Sequence, residues 1–268
     1  MALPSPAPDT TVLITGASAG IGSELARQLG VRGHDLTLVA RREDRLRELA
    51  EEIGARRDVH VEVDPCDLGD AEARAALIGR VKRRKRVVVA LCNNAGFGSF
   101  GRFWELPAER EAEEVRLNVQ ALHELTGAFL PDMVRRGAGA ILNTGSVAGY
   151  QPTPLNATYA ATKAFVNSFS EALHAELVRT GVSCTVLAPG PVKTEFAEQA
   201  GVGQFNGVGP GFLWGTPEQV AAAGIDGMVR GRRTVVPRPG DKLTAVMGRF
   251  TPRTVLLPIV QRVADRNL

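Results

Sequence analysis

Cysteine is scarce in this chain: 268 residues hold only Cys66, Cys92 and Cys184, an odd number in separate apolar settings. That excludes a disulfide framework and points to buried free thiols in a reducing compartment. Histidine is nearly as scarce. His34, His60, His123 and His174 share no ligand spacing with one another or with a cysteine, so no metal is expected and all four are assigned to surfaces or helix ends. No apolar run approaches the roughly 20 residues needed to span a bilayer. Residues 1–9 hold three prolines but neither a basic start nor an apolar stretch. They read as an extended lead-in and not as a signal or transit peptide, which makes the cytoplasm the expected location. Net charge is small, +3, and the one dense basic run, Lys82 to Arg86, has no aromatic interleaving or nucleic-acid motif. It reads as a helix C-terminus whose cations complement the helix dipole, and no nucleic-acid partner is expected.

What is present is the composition of an ordinary globular protein, 44% apolar and 23% charged. The length suits one α/β domain that buries roughly 70–75% of its unfolded surface without a metal or disulfide. Short β-branched runs alternate with helical patterns throughout. Strands are expected over 11–15, 35–40, 59–63, 86–92, 140–144, 183–187 and 234–236. Helices are expected over 21–33, 43–53, 71–81, 107–117, 119–136, 158–179 and 217–229. This order predicts βαβ units, a parallel sheet and a single three-layer domain over 10–237. A Gly- and Pro-rich stretch over 201–217 has the length of a functional loop, and the loop 196–215 is assigned to the substrate. Residues 238–268 are too apolar for a free tail: Leu243, Val246, Met247, Phe250, Val255 and Leu257 fall in 15 positions. Packing on the domain or at an interface is expected, with peripheral membrane contact as the alternative.

The first strand runs into Thr15-Gly16-Ala17-Ser18-Ala19-Gly20-Ile21-Gly22 and then a helix. Such a turn aims backbone N–H groups and a helix N-terminus at a pyrophosphate, and glycine lets the backbone approach it closely. The spacing G-x-x-x-G-x-G varies the general dinucleotide fingerprint. The same residues also satisfy G-x-S-x-G, the nucleophile elbow of α/β-hydrolases. A hydrolase needs a late acid and a late histidine, and the last histidine here, His174, lies within a helical pattern. The second strand ends Val39-Ala40-Arg41-Arg42, without the carboxylate an NAD site would place on the ribose 2′-hydroxyl. Arg41, with Arg42, suits a 2′-phosphate, so NADP is the expected cofactor.

Downstream, Tyr159 and Lys163 lie one helical turn apart, after Ser146. An ammonium beside a phenol is expected to lower the phenol's pKa from about 10 toward working pH. Ser146 can donate a hydrogen bond to a carbonyl oxygen as charge builds on it.

TGASAGIG at 15–22, DL at 67–68, NNAG at 93–96, LN at 117–118, GS at 145–146, YAATK at 159–163 and PGPVKT at 189–194 together resemble the short-chain dehydrogenase/reductase family, the branch with subunits of about 250 residues. The resemblance spans nearly the whole chain. It implies a Rossmann-like doubly wound seven-stranded sheet, a catalytic tetrad of Asn118, Ser146, Tyr159 and Lys163, and a homodimer or homotetramer. It implies that Asn118 holds a water relaying protons to Lys163. Cofactor contacts are implied at Gly16, Ser18, Ala19, Gly20, Ile21 and Gly22, at Arg41 and Arg42, at Asp67 and Leu68, and at Asn94, Ala95 and Gly96. Tyr159 and Lys163, and Pro189, Gly190, Val192 and Thr194, complete the set.

Ala148, Gly149, Tyr150, Thr153, Leu155 and Asn156, with Phe196, Phe205, Phe212, Leu213 and Trp214, are expected to line an apolar pocket for a lipophilic carbonyl compound. NATYAATKAFVNSFSEALHAEL and VLAPGPVKTE resemble ketoacyl reductases of mycolate-making actinobacteria, which implies reduction of a 3-oxoacyl lipid. A steroid or other small lipophilic carbonyl is the alternative substrate, and an NADP-binding sensor or scaffold the alternative function.

Overall fold

The computed structural model describes residues 3–196 and 214–265, the side chains of 263–265 excepted. Among these, seven strands form one parallel sheet in the order β3-β2-β1-β4-β5-β6-β7. They are β1 Thr10–Thr15, β2 Leu36–Ala40, β3 Val61–Pro65, β4 Val87–Asn93, β5 Gly139–Thr144, β6 Val182–Leu187 and β7 Thr234–Val235. The central strands are buried on both faces, so alternate residues feed opposite layers. On β1, Val12 and Ile14 enter the core shared with α1 (Gly20–Val31), α2 (Glu43–Arg56) and α7 (Pro217–Val229). Leu13, between them, enters the core shared with α3 (Ala71–Arg83), α5 (Leu122–Arg136) and α6 (Ala157–Glu176). This is the Rossmann-like three-layer arrangement.

Strand order reverses between β1 and β4, so the chain leaves their carboxyl ends in opposite directions and opens a crevice there. The turn after β1, the loop after β4 and the loop after β5 all reach that crevice.

Three features depart from expectation. The helices predicted over 107–117 and 119–136 are one helical rod, in which α4 (Ala108–Val115) passes into α5 through a π-helical turn at Arg116–Ala121. No proline or glycine breaks the chain at that point. The widened turn re-aims Asn118, as such turns do at functional sites. Second, the segment after β7 forms α8 (Pro239–Phe250) and α9 (Arg253–Asp265), with Pro239 at a first-turn position that proline tolerates. Third, His34 is buried, and burial lowers its pKa. Lys82 and Arg83 of the basic run lie in the last turn of α3, as expected, whereas Arg84 pairs with Asp64 and Arg86 with Asp35, tying the end of α3 to the sheet.

Candidate active site

The glycine turn is built by close packing. Gly16 has φ +65°, and a Cβ there would lie 2.9 Å from Ala95 Cα. At Gly22 a Cβ would lie 2.2 Å from the Gly16 carbonyl oxygen, so only glycine lets α1 start this close to β1. Thr15 locks this turn to the β4 loop, its Oγ1 accepting from the N–H groups of Asn94 at 2.9 Å and Ala95 at 3.0 Å. The Asn94 amide donates back to the Thr15 carbonyl at 3.2 Å.

A cavity of about 1030 Å³ runs from this turn across the ends of β1, β4 and β5. Every expected site residue except Gly22 and Asn118 lies on its wall. A turn crowded enough to admit only glycine, opening on so large a crevice, fits a dinucleotide diphosphate. At the end of β2, Ala40 leaves room and the exposed Arg41 faces the cavity. Arg42 is already engaged, with Glu195 at 2.9 Å and Ser18 Oγ at 3.3 Å. Asp67 Oδ1 accepts from the Gly69 N–H at 2.9 Å, which holds the turn after β3 against the cavity.

At the other end, Ser146 sits in extended backbone just after β5, with Oγ accepting from the Ala148 N–H at 3.1 Å and near enough to the Tyr159 hydroxyl to lower its pKa. α6 carries Tyr159 and Lys163 on one face. The ammonium lies 5.7 Å from the phenol ring centre and donates to the Thr144 carbonyl at 2.8 Å. The Tyr159 ring packs against Phe196, 5.3 Å between ring centres.

Burial dominates the electrostatics of this pair. It pushes the Tyr159 phenol up to about 12, partly opposed by the Ser146 hydrogen bond, and pushes the Lys163 ammonium down to about 8. The expected lowering of the phenol by the ammonium is not what the site shows: dehydration of the would-be phenolate is the larger effect. A phenol so placed is protonated at neutral pH, the state an acid needs.

Asn118 is off the cavity wall. Its amide accepts from the Phe97 N–H at 3.1 Å and donates to the Phe97 carbonyl at 2.8 Å and to Thr162 Oγ1 at 3.1 Å. Those bonds fix the β4 loop to α6. Of the expected pocket residues, Ala148, Thr153, Phe196 and Trp214 line the cavity, Gly149, Tyr150, Leu155 and Asn156 do not, and Phe205, Phe212 and Leu213 lie outside the described residues.

Three carboxylates were not anticipated. Asp241 on α8 is buried, accepts from the Gly190 N–H at 3.2 Å and pairs with Arg238 at 2.6 Å. Glu195 holds Arg42. Glu114 on α4 is fully buried; Ser99 Oγ donates to its Oε2 at 2.9 Å and its Oε1 has no hydrogen-bond partner. Its only sequence signal is a glutamate four residues before Asn118, in a helix otherwise rich in surface glutamates.

Burial raises the Glu114 pKa to about 7, and its charge raises both Lys163 and Tyr159. Two results are expected of Glu114→Gln. Without the negative charge, Lys163 loses its proton at lower pH, so the alkaline fall of any Tyr159-dependent rate moves down by about one pH unit. The wild-type carboxyl prefers its proton in the folded state, so stability is lost as pH rises from the ordinary carboxylate range through about 7. The variant escapes that loss and should melt higher than wild type at pH 8 but not at pH 5. An unmoved alkaline limb would remove Glu114 from the electrostatics of the pair.

The family model for short chain dehydrogenases matches residues 10–203. Sulfoacetaldehyde reductase 2 of Chromohalobacter salexigens is 41% identical over 195 residues, 69% of this chain and 73% of that protein. A short-chain dehydrogenase from Sphingobium yanoikuyae, solved in complex with NADPH, is 35% identical with a TM-score of 0.81, over 93% of this chain and 95% of that one. The bulky-bulky ketone specific alcohol dehydrogenase of Comamonas testosteroni is 27% identical with a TM-score of 0.76, over 92% and 98% of the two chains.

Proposed function

The chain belongs to the short-chain dehydrogenase family, and from that premise we propose that it reduces a lipophilic ketone to a secondary alcohol, with Tyr159 as the proton donor. It is an NADP-dependent oxidoreductase acting between alcohol and carbonyl. The observation that carries the proposal is the single cavity joining the glycine turn and Arg41 at one end to a buried Tyr159–Ser146–Lys163 cluster at the other.

NADPH, when bound, supplies a hydride to the carbonyl carbon. The turn from Gly16 to Gly22 and the N-terminus of α1 would hold its diphosphate, and Arg41 its 2′-phosphate. Ser146 and Tyr159, both on the cavity wall, present two hydroxyl donors to one carbonyl oxygen. Tyr159 gives up its proton as charge develops there. Lys163, anchored on the Thr144 carbonyl, stabilises the phenolate left behind. Asn118 is a positioning residue: it fixes the loop that bears Gly96 and Gly98 against α6. A Cβ at Gly98 would lie 3.1 Å from the Tyr159 ring, so that loop sets where the phenol stands.

The substrate end is walled by Phe97, Val147, Ala148, Phe196 and Trp214. A sulfonate like that of sulfoacetaldehyde calls for an available cation, and the guanidinium on that wall, Arg238, is engaged by Asp241. An apolar acyl chain suits these surfaces better. The substrate class we favour is a 3-oxoacyl lipid or thioester, 3-oxo-mycolate precursors included.

NADPH oxidation with 3-oxoacyl thioesters of increasing length tests this directly. kcat/KM is expected to rise with chain length, by up to about fourfold per buried methylene. Faster turnover of sulfoacetaldehyde than of any acyl substrate would overturn the substrate class. NADPH binding without turnover of any ketone would instead mark a nucleotide sensor.

A further inference from the structure

We propose that α8 and α9 dock the protein on an anionic lipid surface, beside the mouth through which its substrate enters. The inference rests on the lipophilic-ketone reading above and adds a partner to it.

α8 is amphipathic in the reverse of the usual sense. The face it turns to the domain is small: Asp241, Ala245 and Gly248 are buried. A Cβ on Gly248 would meet the Gln151 side chain at 3.0 Å, so this face allows close approach and fills little volume. The large apolar residues point outward. Leu243, Val246, Met247 and Phe250, at the i, i+3, i+4, i+7 spacing of one helical stripe, are 63%, 54%, 51% and 76% exposed. α9 continues the patch with Val255 and Ile259, one turn apart, while Leu256 anchors it to the domain. Isolated exposed leucines are normal on protein surfaces, but a contiguous stripe spanning two helices marks an interaction face.

Charge selects the occupant. Between 238 and 262, five cations stand with one carboxylate; Arg238 pairs with Asp241 and Arg249 with Glu171 of α6, which leaves Lys242, Arg253 and Arg262 as the excess positive charge of this segment. Lys242, Arg253 and Arg262 are exposed around the stripe, and Arg249, also exposed, is held by Glu171 of α6. An apolar stripe rimmed by cations suits a bilayer interface with anionic headgroups. It suits a second copy poorly, because a two-fold pairing through this face would oppose two positive rims. No helix among the described residues is long and apolar enough to cross a membrane, so the contact is interfacial.

Position supplies the functional link. Arg238, Pro239, Gly240, Asp241 and Thr244 line the cavity, so the first turns of α8 form the cavity wall and the outer face of the same helix is the stripe. Asp241 ties that wall to Gly190. A lipid whose chain rests in the bilayer would have its carbonyl end at the cavity without crossing bulk water.

The test is flotation of the full chain with vesicles of equimolar phosphatidylglycerol and phosphatidylcholine, against vesicles of phosphatidylcholine alone. Binding to the anionic vesicles that weakens in high salt is expected. Met247→Ser with Phe250→Ser should weaken it by about tenfold or more while leaving reduction of a short soluble ketone unchanged. Lys242→Glu with Arg262→Glu should abolish the preference for anionic vesicles. Failure to float with anionic vesicles overturns the proposal. So does a drop in oligomeric state of the Met247/Phe250 variant without vesicle binding, which would assign the face to a second copy. Flotation without turnover of any ketone would leave the docking surface standing and refute the reductase reading alone.

Discussion

Tyr159→Phe should lower kcat for ketone reduction by about 10²–10⁴-fold while leaving NADPH binding within about twofold of wild type. The substitution is close to isosteric. The ring packs on Phe196 and against the loop bearing Gly98, and those contacts survive. What disappears is the hydroxyl that faces Ser146. Burial holds that hydroxyl in its protonated form, at about 12, which under the proposed mechanism makes it an acid already loaded with its proton. The loss should therefore fall on kcat with KM little changed, the pattern of an interaction made chiefly in the transition state. Nucleotide titration by fluorescence and steady-state NADPH oxidation on one protein preparation separate the two effects. A reductive rate undiminished in the phenylalanine variant would remove Tyr159 from the chemistry.

The same burial gives the two directions of reaction opposite pH dependence. If Tyr159 is the proton donor as proposed, reduction consumes the phenol's proton and benefits from a charged Lys163, so it should decline as pH rises through about 8, where the ammonium discharges. Alcohol oxidation needs the phenolate and should rise with pH over that range.

How much of this was legible in the sequence follows from how local each determinant is. The alternation of β-branched runs with helical spacing carries the sheet because burial on both faces demands it, and α7 at Pro217–Val229 coincides with its expected span. The glycine turn was equally legible, since the clash that forces glycine at 22 is with a carbonyl only six residues earlier. Asn118 was found through the family resemblance, yet its geometry was hidden. The π-helical turn carries Asn118, whose bonds reach Phe97, 21 residues away, and Thr162, 44 away. Asp241 meets Gly190 across 51 residues, and no periodicity reports such a contact. The phenol's pKa is hidden from the sequence for a related reason. Residue spacing reveals that a cation is near, whereas desolvation depends on everything packed around the group.

Arg41→Asp should reverse the preference for nucleotide, lowering the ratio of kcat/KM for NADPH to that for NADH by about a hundredfold or more. Arg41 stands at the end of β2 beyond Ala40, on the cavity wall, with no ion pair to another described side chain, so its guanidinium is available to a 2′-phosphate. Aspartate there would repel that phosphate and accept from a ribose 2′-hydroxyl instead. Arg42 differs because Glu195 already occupies it. Removing Arg42 would release a carboxylate on the cavity wall, so Arg42→Ala should also weaken NADPH, while Glu195→Gln should strengthen it by freeing the guanidinium. The opposite signs expected for Glu195→Gln and Arg42→Ala separate a phosphate-binding role for this pair from a purely structural clasp, in which both changes would weaken both nucleotides alike. An unchanged NADPH-to-NADH ratio in Arg41→Asp would show that another group reads the 2′ position.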